Sequence, residues 1–409
     1  MTSVVFYFQA HQPDRLRARG PYAPGGYFDE AESARIVRRV AERCYLPMNE
    51  LLLRAVEETD GRFHCAFSIS GPLLRQLEAW APEVLESFAS LAATERVEFL
   101  CETAYHSLAS LVPSDEFEDQ VRRQARRIEE LFGQRPTVFR NTELIFDESI
   151  ARRVEALGFD VLLAEGADRL LGWRSPRFVY RPRGCRRLKL LLRDYMLSDD
   201  IAFRFGNREW VHHPLLAETF AGWLHAIPAR DTFAGLFMDY ETFGEHQGAE
   251  TGIFAFMRAL PRFVLDGEST DFATPSEIAA AHDAVGEIDA PSPVSWADAR
   301  RDLGAWLGNH MQRSAHESLY ALAPGIRTAA AHGHPALLEA WRRLTTSDHF
   351  RYMATRSSAD EGMHEHFSPH DSPYDSFIVF MNVLDDLRSR VAEVLSDRIQ
   401  RESSEDPRV

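Results

Sequence analysis

Seven short apolar runs punctuate the first 240 residues, at 4–8, 63–68, 97–101, 137–139, 161–164, 188–192 and 236–238. Their apolar faces are nearly continuous, the pattern of strands buried on both sides. Between them, residues 30–59, 72–92, 117–132 and 148–157 carry apolar positions at helical spacing. Strands alternating with helices predict an α/β fold built on a parallel sheet or barrel, and seven strands fall one short of a complete (β/α) barrel. After about Pro291 the pattern changes. No strand is evident, and residues 296–311, 315–322, 335–345 and 376–399 read as helices, the second stopping before Pro324-Gly325. Pro291 and Pro293 mark a linker over 288–294. The expected organisation is a catalytic barrel over 1–290, a helical domain over 291–400 that completes the active-site cleft, and a flexible polar tail over 401–409.

A chain of 409 residues exceeds the roughly 250–300 residues at which one core stops growing, which also predicts two lobes. The hydrophobic content of 45% and charged content of 26% are those of an ordinary globular protein. The formal net charge of −16 argues against nucleic acid and anionic membranes as partners and suits a neutral substrate. The N-terminus lacks the basic start and long apolar stretch of a signal peptide, and no run approaches the roughly 20 apolar residues of a membrane span. A cytoplasmic location is therefore expected. Cys44, Cys65, Cys101 and Cys185 show no paired spacing, so reduced, buried thiols are expected rather than disulfides or a zinc site.

The positions of polar residues narrow the chemistry. His11 follows the first predicted strand, Glu102 and His106 the third, Glu143 the fourth, and Asp239 the last. In a β/α barrel the loops after the strands share the face that carries chemistry. In Phe139-Arg140-Asn141-Thr142-Glu143-Leu144, Arg140 is placed to hold a nearby carboxylate ionised. Glu143 suits a nucleophile, or equally a carboxylate at the start of the next helix, stabilised by its dipole. Residues 238–246 (MDYETFGEH) crowd three carboxylates, a histidine and two aromatics. Crowded carboxylates raise one another's pKa, as a general acid requires, and aromatic rings offer a face to a sugar. The stretch His364-Glu365-His366-Phe367-Ser368-Pro369-His370-Asp371 lacks a recognised metal-ligand spacing and reads as a loop.

These residues also resemble glycoside hydrolase family 57, in its α-amylase-like branch. Its five signature regions are matched in order by Gln9-Ala10-His11-Gln12-Pro13, by Glu102-Thr103-Ala104-Tyr105-His106-Ser107-Leu108, by Phe139-Arg140-Asn141-Thr142-Glu143-Leu144-Ile145, by residues 238–246, and by Arg301-Asp302-Leu303-Gly304-Ala305-Trp306-Leu307-Gly308. Similar stretches include 197–205, with Asp199 and Asp200, and 346–350, so the likeness spans nearly the whole chain. The resemblance implies an incomplete (β/α)7 barrel followed by a helical region. It also implies a retaining mechanism, with Glu143 as nucleophile and Asp239 as acid/base, their carboxyl groups about 5–5.5 Å apart. By the same resemblance His11, Gln12, Glu102, His106, Arg140, Asp199, Asp200, Glu241, Asp302 and Trp306 would contact or frame an α-1,4-glucan, with no metal and no organic cofactor. Leu307 stands where other branches often carry His, which leaves subsite detail open.

Glucan transfer or branching would use the same residues, because both share the covalent intermediate. Two readings from other classes are a metal-dependent carbohydrate deacetylase on a similar barrel and a glucan-binding protein without activity.

Overall fold

The computed structural model describes residues 2–18, 21, 26–267, 269–355 and 368–405. All seven expected strands are present, joined by three of two or three residues: β1 (Thr2–Ala10), β2 (Cys65–Ile69), β3 (Val97–Phe99), β4 (Val138–Arg140), β5 (Val161–Glu165), β6 (Arg181–Pro182), β7 (Lys189–Arg193), β8 (Phe233–Asp239), β9 (Thr270–Phe272) and β10 (Glu287–Ile288). The three additional strands, β6, β9 and β10, are too short to leave a periodic signal.

The named ladders are parallel and form sheets β3-β2-β1-β8, β4-β5-β7 and β10-β6, with β9 against the start of β1. Single links join the first two sheets. Cys101 N–H donates to the Val138 carbonyl (3.0 Å), and Arg140 N–H to the Cys101 carbonyl (2.9 Å). Asp194 N–H, just past β7, donates to the Gly235 carbonyl in β8 (2.8 Å). The succession β1-β2-β3-β4-β5-β7-β8 thus returns to β1, an incomplete (β/α)7 barrel. Because the strands are parallel, Arg140, Glu165, Arg193 and Asp239 all stand at C-terminal strand ends.

Two compact units are distinguished. The first comprises Met1–Gln12, Ala34–Ala104 and Pro113–Ala297; the second comprises Pro13–Ser33, Tyr105–Val112 and Asp298–Val409. In the first, helix ends follow local chemistry. Ser70 caps Gly71–Trp80 by accepting Leu73 N–H, and Ala81-Pro82 interrupts the expected 72–92 helix. Gly133 and Gly158, both left-handed, end Glu116–Phe132 and Glu148–Leu157. The helical pattern at 30–59 is broken by a π-helical turn, Ala41–Tyr45, which buries Cys44 and Tyr45. All four cysteines are free and buried.

The second unit is helical. Among the described residues its helices include Gly304–Leu307, His310–Ala321, Ala323–Ala331, Pro335–Leu344, Ser347–Arg351 and Pro373–Glu405. One expectation changes here. Residues 296–303 are not helical: Asp298 and Arg301 have positive φ, and Asp302 Oδ1 accepts Gly304 N–H at 2.6 Å. The helix His310–Ala321 ends before Pro324, as expected, and Pro324 then stands in the first turn of the next helix, where its missing N–H has no intrahelical partner to lose. Arg343 ties the unit together, bonding Asp14 and Glu30 at 2.8 Å each and covering the Phe28 ring at 3.7 Å. Residues 364–367 of the histidine-rich stretch and the end of the expected tail lie outside the described residues. Among the described residues no helix is long and apolar enough to cross a membrane.

Candidate active site

Glu143 sits three residues past β4 in a single 3-10 turn, Thr142–Leu144, with φ 57° and ψ 27°. Leu144 follows at φ 51°. A left-handed conformation costs a non-glycine residue roughly 1–2 kcal/mol, so two in succession need outside support. Trp296 provides it. Its backbone N–H donates to the Glu143 carbonyl (3.1 Å), and its indole Nε1–H donates to Glu143 Oε2 (2.6 Å). The paired bonds between Phe146 and Val294, both 2.9 Å, continue this alignment. The next helix begins at Glu148 and is capped by Asp147, whose Oδ1 accepts Ile150 N–H at 2.8 Å. The helix-start alternative for Glu143 is therefore excluded.

Behind this turn lies a buried polar network. Arg140 and Glu102 are fully buried and paired at 3.8 Å. Among the described residues none of the Arg140 guanidinium nitrogens has a hydrogen-bond acceptor. Its charge is met by the Glu102 carboxylate and by the Trp296 ring, 5.0 Å away. Glu102 Oε1 accepts from Gln9 Nε2 (3.0 Å). Gln9 Oε1 in turn accepts from the Tyr7 and Ser68 hydroxyls, at 2.9 and 2.7 Å. Burial pushes the Tyr7 phenol well above its ordinary range; Arg140 pulls it back, while Glu102 and Asp239 add to the rise. Arg193 lies 5.8 Å from the Trp296 ring. It donates to the Phe237 carbonyl (2.7 Å), Glu165 (3.3 Å) and Asp199 (2.6 Å). Burial works against its charge, but Asp199 and Glu165 outweigh that and raise its pKa.

Asp239 ends β8 opposite Gln9 of β1 and is partly exposed. Two residues on, Glu241 is buried. Its Oε1 accepts the His11 backbone N–H (3.0 Å) and the Tyr45 hydroxyl. Burial, reinforced by the Asp239 charge, pushes the Glu241 carboxyl up to about 8. His11 Nδ1 meets Ser70 Oγ at 2.6 Å, and the Gln12 carbonyl accepts from Gln76 at 3.1 Å. Asp200 pairs with Arg204 at 2.6 Å; burial raises its carboxyl despite that pairing. The first unit thus brings Glu143, Arg140, Glu102, Asp239, Glu241, His11, Asp199 and Asp200 onto one barrel's strand ends and loops. His106, Asp302 and Trp306 belong to the second unit. There His106 is buried at φ 49° with its carbonyl accepting Ser347 N–H (2.9 Å), and Trp306 is buried in a short helix. Among the described residues no group of three or more His, Cys, Asp or Glu side chains is placed to hold a metal ion.

The model of glycosyl hydrolase family 57 matches residues 5–291. The chain belongs to that family. A relative from Methanocaldococcus jannaschii, named "Putative alpha-amylase", is 37% identical over 406 residues, covering 96% of this chain and 85% of its own. Among solved structures, a family 57-type branching enzyme from Pyrococcus horikoshii is 14% identical with a TM-score of 0.66, over 96% of this chain and 94% of that one. A 4-alpha-glucanotransferase from Thermococcus litoralis is 15% identical with a TM-score of 0.63, over 85% of this chain but 56% of that longer protein. An alpha-amylase from Thermotoga maritima is 13% identical with a TM-score of 0.59, over 97% and 96%. At these identities the structures show a shared fold.

The family 57 match ends at residue 291, short of the residue that sequence reasoning missed. Trp296 stood at the start of an expected helix, and nothing around it marks a site. Tyr7, Tyr45, Glu165 and Arg193 were also passed over, and Gln9 was noted only within the first signature region. For Glu165 and Arg193 a signal existed, since each is a charged residue ending a predicted apolar strand. Tyr45 lay within a helical pattern and gave none.

Proposed function

We propose that this family 57 enzyme is a retaining hydrolase of α-1,4-glucans, with Glu143 as nucleophile and Asp239 as acid/base. The observation that carries this reading is the Glu143 carboxylate, held on a strained left-handed turn by an indole N–H within a barrel whose β8 ends in Asp239. Such strain persists where function requires it. The names of the relative, an alpha-amylase, and of two structural neighbours, a 4-alpha-glucanotransferase and an alpha-amylase, support the substrate class.

Glu143 attacks the anomeric carbon while the Asp239 carboxyl protonates the departing glycosidic oxygen. A covalent glycosyl-enzyme forms and the leaving sugar departs with the proton. Asp239, now a carboxylate, takes a proton from water, whose oxygen attacks the same carbon from the opposite side and releases Glu143. Two inversions leave the configuration unchanged. His11, Gln12, Asp199 and Asp200 would contact the bound glucan. Arg140, Glu102 and Glu241 would act from behind, fixing the loops and the local charge.

The test is product analysis of purified protein on maltoheptaose and amylose, beside Glu143→Gln. Shorter maltooligosaccharides from the wild type and none from the variant are expected. Longer products would move the assignment to glycosyl transfer by the same residues, and no product from either substrate would overturn the substrate class.

A further inference from the structure

We propose that Trp296 is the positioning residue for Glu143, fixing the plane and charge of its carboxylate through the indole N–H. The inference rests on the reading of Glu143 as nucleophile. Trp296 grips Glu143 at two points, backbone N–H to carbonyl at 3.1 Å and Nε1–H to Oε2 at 2.6 Å. The first bond holds the left-handed backbone, and the second fixes side-chain rotation. A donor on Oε2 favours the ionised form, the form that attacks. The indole is held in turn from its faces: the Arg140 and Arg193 guanidinium carbons lie 5.0 and 5.8 Å from its ring. Two cations against the ring draw electron density from it and make its N–H a stronger donor.

The role differs from mere packing, because a phenyl ring could still cover the guanidiniums but could not donate. The charges around the clamp are Arg140 with Glu102, Arg193 with Glu165 and Asp199, and Asp239, whose field reaches Tyr7 together with those of Arg140 and Glu102. All are retained in Trp296→Phe, so a change in that variant reports the lost N–H.

The experiment pairs two measurements on wild type and Trp296→Phe. The first is titration of the Glu143 carboxyl by carbon NMR on protein labelled at glutamate Cδ, with Glu143→Gln assigning the signal. The second is steady-state kinetics on maltoheptaose across pH. The expected results are a Glu143 titration moved up by about one unit, an acid limb of kcat/KM moved with it, and kcat lowered about 10- to 100-fold with KM little changed. Trp296→His, which restores a ring N–H, should recover part of the loss. An unmoved Glu143 titration, or a loss confined to KM, would overturn the inference. A wild type inactive on α-glucans would overturn the proposed function instead, and the titration would still decide the role of Trp296.

Discussion

Glu241 accepts the backbone N–H of His11 at 3.0 Å, and that bond ties the loop after β8 to the end of β1. The Tyr45 hydroxyl meets the same oxygen, so one buried carboxyl oxygen joins three segments of the chain.

This arrangement sets a pH dependence of stability. With the Glu241 carboxyl near 8 in the folded protein and ordinary when unfolded, only the folded state holds the proton between about 4.5 and 8. Unfolding then releases a proton, so this group's contribution to stability falls as pH rises through that window, by about 1 kcal/mol per unit. Glu241→Gln keeps an oxygen for both donors and removes the titration. The melting temperature of the variant relative to wild type should therefore climb from pH 5 to pH 8. A constant difference across that range would contradict the assignment.

Arg140 and Glu102 are buried together. Arg140→Met leaves the Glu102 carboxylate without its cation and should cost about 3–5 kcal/mol. Adding Glu102→Gln should recover most of that loss, since no unpaired charge remains. Urea unfolding of the two single variants and the double variant measures the coupling; additive losses would show that the pair contributes nothing as a pair.

The two proposed catalytic carboxyls should give opposite products with azide. Each substitution should cost about a thousandfold or more on maltoheptaose. With α-maltosyl fluoride, whose leaving group needs no acid, Glu143→Gly lets azide attack the anomeric carbon directly and yields the β-azide. Asp239→Ala still forms the glycosyl-enzyme, which azide opens to the α-azide. Product configuration by proton NMR distinguishes them, and the same anomer from both variants would reject the assignment of roles.

Gly244, in the loop after β8, has φ 105°, and a Cβ there would lie 2.0 Å from the Arg43 carbonyl oxygen. Gly244→Ala must move backbone, so a loss of about 2–4 kcal/mol is expected in thermal or urea unfolding. By contrast Gly252→Ala, also at positive φ but with nothing within 4 Å of its Cβ, should cost about 1 kcal/mol.

The barrel was legible because its strands are apolar on both faces, a signal that survives without knowledge of partners. The broken helix at 41–45 was not, since the π turn leaves apolar spacing almost unchanged while rotating Tyr45 toward Glu241. Carboxylates at strand ends marked Glu143 and Asp239, because parallel strands bring their ends to one rim. Two things escaped. The raised carboxyl of Glu241 depends on burial that no local pattern encodes. One partner of Glu143, Trp296, lies 153 residues away, on a segment whose helical spacing was overridden by hydrogen bonds to a distant turn.

That separation also has a consequence in time. A ribosome adding roughly 5–20 residues per second takes roughly 8–30 s to travel from Glu143 to Trp296. Throughout that interval the strained turn lacks both of the Trp296 bonds that hold it. The turn at Glu143 therefore gains its two Trp296 bonds late in synthesis, from a segment made after every named strand of the barrel.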